Sequence, residues 1–166
     1  MKNNIIFSAV LILVAVIGQI FLMPIIMVND IKPDFFAIAI TITALVVGGE
    51  LVLVAAFAGG LLFDAVGLLP LGSSALAYVI GAYIIAFFRN RDYDQPFNFF
   101  VILIVGILVI RTAIAITVTI SGDSSFSQYY FRQVIPEVVY SFFLAGIIYF
   151  FARDYISQSA MSREDV

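Results

Sequence analysis

The chain contains no cysteine and no histidine. Zinc fingers, cysteine nucleophiles, haem ligation by histidine and disulfide scaffolds are excluded on that ground. Charge is scarce as well. Eight Lys and Arg and eleven Asp and Glu make up 11% of the 166 residues, under half of the roughly 25% usual in soluble domains. So few charges cannot cover the surface of a water-soluble domain of this length. The net charge of −3 is small and dispersed, which speaks against a nucleic-acid partner. What is present is apolar. Hydrophobic residues reach 63%, against roughly 45–50% in ordinary domains, which excludes disorder. An integral membrane protein remains.

A hydrocarbon core about 30 Å thick asks for about 20 mostly apolar residues per spanning helix. Six runs approach that length: 5–28, 35–49, 51–69, 73–88, 97–120 and 134–152. They leave only short loops, so the expectation is one transmembrane helical domain over 1–166. A β-barrel is disfavoured, because the runs are continuously apolar rather than alternating. The first run is too long for a signal core and no small-residue cleavage site follows Pro24, so it reads as a retained helix. Gly48-Gly49-Glu50 reads as a tight turn, and 67–72, with Pro70 inside, as a chain break. Orientation follows the Lys and Arg count. With the N-terminus in the cytoplasm, Lys2, Arg89, Arg91, Arg153 and Arg163 lie inside, while Lys32 and Arg132 lie outside. Both termini are expected to be cytoplasmic.

Asp64 and Arg111 fall within apolar runs, where each costs about 2.5–3.5 kcal/mol if it faces lipid. Counted from the cytoplasmic starts of their spans, both lie about 20 Å deep at 1.5 Å per residue. Glu137 and Asp34, at the outer starts of spans six and two, complete a charge layer in the outer half of the bilayer. The matched depth predicts a direct or near-direct pair of Asp64 with Arg111. Such a pair fixes helix register, or else the layer forms a polar pocket or partner-recognition site. Small-residue stripes flank these charges: Ala56-Gly60-Asp64, Arg111-Ala115-Thr119 and Glu137-Ser141-Ala145, each spaced by four residues. Small residues let helices approach closely, so these stripes should face other helices. Gly59, Gly60, Gly72, Ala77, Gly81 and Ala82, with Pro33 at the outer corner, are the expected helix-packing or partner face. Pro33-Asp34 is also ordinary helix-start chemistry.

Residues 121–133 read as the longest outer loop, with Tyr129, Tyr130 and Phe131 as an interfacial aromatic belt or a partner contact. The mixed-charge turn 89–94 and the polar tail 153–166 read as solvated. No phosphate loop, metal cluster or activated Ser nucleophile is visible, and no cofactor is expected.

Pro33-Asp34, Gly60-Leu-Leu-Phe-Asp64, Leu71-Gly72, Leu76-Ala77 and Ala82-Tyr83 together make the stretch from Lys32 to Tyr83 resemble the rod shape-determining protein MreD family. The motifs cover about a third of the chain, and the second half carries none. The resemblance implies a non-catalytic subunit of the bacterial cell-elongation machinery in the cytoplasmic membrane. It implies the bitopic protein MreC as partner and, through the assembly, MreB, RodA and a class B penicillin-binding protein. It also implies a six-helix fold like the substrate-binding subunits of energy-coupling-factor transporters. That likeness supplies the alternative function, a vitamin-binding membrane subunit.

Overall fold

The computed structural model describes the backbone of residues 2–29, 31–46, 50–66, 70–88, 96–120 and 125–161 and most of their side chains. Among these the chain is helical: α1 (Lys2–Phe21), a short α2 (Met23–Ile26), α3 (Phe35–Val46), α4 (Glu50–Val66), α5 (Ser73–Phe88), α6 (Pro96–Ile120), a short α7 (Phe126–Tyr129) and α8 (Ile135–Met161). A π-helical stretch, Tyr130–Val134, joins α7 to α8. The segments Phe100–Ile120 and Phe126–Ile148 are long and apolar enough to cross a membrane. Shorter apolar helices run over Ala9–Phe21, Phe35–Leu45 and Ser73–Phe88.

α3 lies at the centre. It packs on α1, α5, α6 and α8 and more lightly on α4, and its residues from Phe36 to Leu45 are buried on every side. A helix with no polar face, such as FFAIAITITALV, has to be enclosed by other apolar surface. Around it the arrangement inverts that of a soluble protein. Large apolar side chains such as Leu13, Val54, Leu62, Phe87 and Phe143 are exposed, whereas Asp34, Asp64, Arg111 and Glu137 are buried. In lipid this is the cheaper distribution, since hydrocarbon solvates leucine and rejects an ion.

Glycines set the closest helix approaches. A Cβ on Gly60 would stand 2.3 Å from the Cα of Ala75, so α4 and α5 meet backbone to backbone there. One on Gly81 would meet Ile110 at 2.3 Å, and one on Gly59 would run into the Phe36 ring at 2.1 Å. Ala77 and Ala82 are likewise buried, against 1% and 0% exposure. These small residues are consumed by contacts inside the bundle. Gly60, Gly81, Ala77 and Ala82 thus serve helix packing, one of the two roles expected of them, whereas Gly59 also borders an open apolar groove between α1 and α4. The stripes Ala56-Gly60-Asp64 and Glu137-Ser141-Ala145 also point inward, and Arg111 and Ala115 are buried with Thr119 half-exposed.

Several boundaries differ from expectation. The first run breaks at Leu22, so α1 ends at Phe21 before the Met23-Pro24 start of α2. The outer loop is shorter than 121–133, because helix begins at Phe126. Pro136 offers no N–H to the carbonyl one turn earlier, and the wide π turn lies immediately before it. The tail does not leave the helix at Arg153, since α8 runs to Met161. Gly48, Gly49, 67–69, the 89–94 turn with Arg89 and Arg91, 121–124 and Arg163 lie outside the described residues, as do the side chains of Lys2 and Arg153.

Candidate functional site: a buried ion cluster and a borrowed helix cap

Asp34 is the N-cap of α3. Its Oδ1 accepts the Ala37 N–H at 2.8 Å, and its carbonyl accepts the Ile38 N–H at 3.1 Å. A side-chain acceptor here satisfies one of the donors that every helix start leaves unpaired. Pro33 sits one residue outside the cap, also buried. The Asp34 N–H donates to Ser141 Oγ of α8 at 2.9 Å, and Gln19 of α1 takes the Phe35 N–H at 2.9 Å. The start of α3 is thus tied to two other helices by hydrogen bonds alone.

The Asp34 carboxylate then gathers α5 and α6. Tyr78 of α5 donates its hydroxyl to Oδ2 at 3.0 Å. Arg111 of α6 brings Nε to 3.3 Å from the same oxygen, off the N–H axis, so the contact is ionic rather than a hydrogen bond. The other arm of the guanidinium reaches Glu137 of α8, Nη1 to Oε2 at 3.1 Å. All four side chains are buried, with Asp34 at 0% and Glu137 at 1% exposure. One planar cation bridging two carboxylates is what a guanidinium does well and an ammonium does poorly.

Asp64 is elsewhere. Its carboxylate accepts the backbone N–H groups of Gly72 at 2.8 Å, Ser74 at 3.0 Å and Ala75 at 3.4 Å. These are the leading amides of α5, so α4 lends α5 its N-cap. Gly72 turns the chain at φ +97°, the left-handed region that glycine enters freely, and Gly60 lets α4 lie close enough for the carboxylate to reach. The expected Asp64–Arg111 pair is therefore corrected. Equal depth placed the two in one layer, but backbone amides hold Asp64 and two other carboxylates hold Arg111.

An aromatic group joins the two centres. Tyr78 meets Phe36 edge to face at 4.8 Å between ring centroids, and Phe36 meets Phe63 at 5.1 Å. Phe63 precedes Asp64, and Tyr78 is one turn beyond the capped start of α5. The sequence reading missed Tyr78. A tyrosine hydroxyl inside an apolar span needs a buried partner, and that was the available signal. Of the predicted charge layer, the structure brings Asp34, Arg111 and Glu137 together and leaves Asp64 apart.

The cavities bounded by α1, α3 and α4 and by α1, α3 and α8 are lined by apolar side chains and Thr43, with no member of the ion cluster. The cluster itself is closed.

Compared with protein families, residues 1–158 match the family model described as rod shape-determining protein MreD. The chain belongs to the MreD family. That family is one of shape-determining structural proteins of the rod-shape complex, associated with the membrane, and not a family of enzymes. No curated protein and no solved structure matches the chain.

Proposed function

We propose that the protein is a non-catalytic scaffold subunit of the bacterial cell-elongation complex, acting in peptidoglycan synthesis by binding MreC. Through that assembly it serves MreB, RodA and a class B penicillin-binding protein. The observation that carries this reading is the closed ion cluster. Asp34, Arg111 and Glu137 spend their charges on one another across three helices, as in a rigid binding platform. The alternative, a vitamin-binding subunit like those of energy-coupling-factor transporters, calls for polar groups turned into an outward pocket.

Affinity purification from native membranes tests the reading. MreC should co-purify with the wild-type chain, and cells that lack the chain should round up. Co-purification with a transporter's energy-coupling subunits, with cell shape intact, would overturn it.

The proposed setting is the cytoplasmic membrane, with six spans in a single domain and both termini inside. The Lys and Arg bias supports that orientation. A reporter active only outside the cytoplasm, fused after Val166, is expected to stay silent. A strong signal would mean an odd number of spans or an inverted chain.

A further inference from the structure

The ion cluster does not balance by itself. Asp34 and Glu137 bring two negative charges to one guanidinium, and all three groups are buried. The two carboxylates are also served unequally. Asp34 accepts the Ala37 N–H on Oδ1 and the Tyr78 hydroxyl on Oδ2, with Arg111 Nε beside it. Glu137 has a single ion-pair partner, Arg111 Nη1 on Oε2. Its Oε1 has no hydrogen-bond partner, and the residue is 1% exposed.

The groups that face Glu137 do not fill that gap. α8 packs chiefly on α3, α6 and the π stretch. α6 contributes Arg111, and the start of α3 contributes Asp34. Tyr78 of α5 already gives its hydroxyl to Asp34. Gln133 of the π stretch stands beside Glu137 without bonding Oε1. Tyr129 of α7 and Lys32, just before α3, face it as well. Lys32 is half-buried and forms no ion pair among the described residues.

An ionised carboxylate oxygen with no donor, in a site closed to water, keeps a desolvation cost that nothing offsets. Such a group neutralises instead. Where two carboxylates share one site, the worse-served one takes the proton.

We infer that the cluster is a proton-binding site, with Glu137 Oε1 as the atom that takes the proton. One H⁺ from water adds to the carboxylate as an O–H bond, and no other bond changes. Oε2 goes on accepting from Arg111, so the link between α6 and α8 is kept. Asp34 stays ionised, because two donors and the guanidinium favour its anion, and it then balances Arg111 one to one. The folded chain thus holds a proton that the unfolded chain releases above about pH 4.3. Stability should rise as pH falls, by at most about tenfold in the folding constant per pH unit, and level off below about pH 4.3.

Infrared spectroscopy of the purified chain in an ester-free detergent tests the site. At about pH 6 exposed carboxyls are ionised. Wild type should there show the C=O band of one carboxylic acid, shifted in D₂O, and Glu137→Gln should lack it. Lys32→Met should keep the band to higher pH, since a cation facing the site opposes protonation. Glu137→Gln keeps the side chain's size and an oxygen for Arg111 but cannot ionise. It should melt at least as high as wild type at neutral pH and lose most of the wild-type rise toward acid. No such band in wild type, or one that survives in Glu137→Gln, would overturn the proposal. A Glu137→Gln chain that melts lower than wild type, or never reaches the membrane, would mark the carboxylate as the structural form and overturn it too. A band that appears only in Lys32→Met would make Lys32 the balancing charge, with the same result.

Discussion

Arg111→Met is expected to strip the protein from the membrane fraction more completely than any other single change in the cluster. The substitution keeps an unbranched apolar stem and removes the cation that is ion-paired with both Asp34 and Glu137. Two carboxylates would then face each other in a site closed to water. Breaking a buried pair in this way costs about 3–5 kcal/mol, because the surviving charge keeps its desolvation penalty and loses its partner. The remedy is asymmetric. Asp34 still holds the Ala37 amide and the Tyr78 hydroxyl, whereas Glu137 has its Oε1 without any hydrogen bond. Arg111→Met combined with Glu137→Leu should therefore restore more protein than Arg111→Met alone. Immunoblots of membranes and melting of the detergent-solubilised protein read both. A double variant no better than the single one would show that Glu137 is not the stranded charge.

Asp64→Ala should be comparably severe by a different route. Three amides at the start of α5 would lose their acceptor. Each orphaned buried donor costs about 1–3 kcal/mol, so the three together should cost about 3–9 kcal/mol. Asp64→Asn keeps one acceptor oxygen and should lose about half as much. The decisive comparison is with Arg111. Two residues without a shared partner have additive effects, so Asp64→Asn with Arg111→Gln should fall by the sum of the single losses. Recovery in that double variant would reinstate the direct pair that the geometry replaces.

The burial of the charges was legible in the sequence for a plain reason. An ion in an apolar run has nowhere to go but inward, and small residues one turn apart mark the helix face that others approach. Gly60, Gly81 and Ala145 lie where that logic puts them. The pairing was not legible, since depth along a helix is set by residue count, whereas lateral neighbours are set by how helices pack around α3. Arg111 and Asp64 agree in depth yet have different neighbours. The cap on α5 left a faint trace. Asp64 comes just before a Pro70-Leu71-Gly72 turn, and a carboxylate near the end of one helix is within reach of the amides that open the next. The π stretch before Pro136 left only the proline itself as a sign. The groove left none, because nothing in a run of alanines and leucines says that two neighbouring helices stand apart.

The borrowed cap has a consequence for biogenesis. As α4 leaves the ribosome and reaches the insertion machinery, it carries a carboxylate that lipid would reject. α5 follows with leading amides that lipid would reject as well. Each defect cancels the other, but only when both helices are present and adjacent. The two should therefore pass into the bilayer as a paired hairpin, with α4 waiting in the insertion channel until the first turn of α5 has emerged.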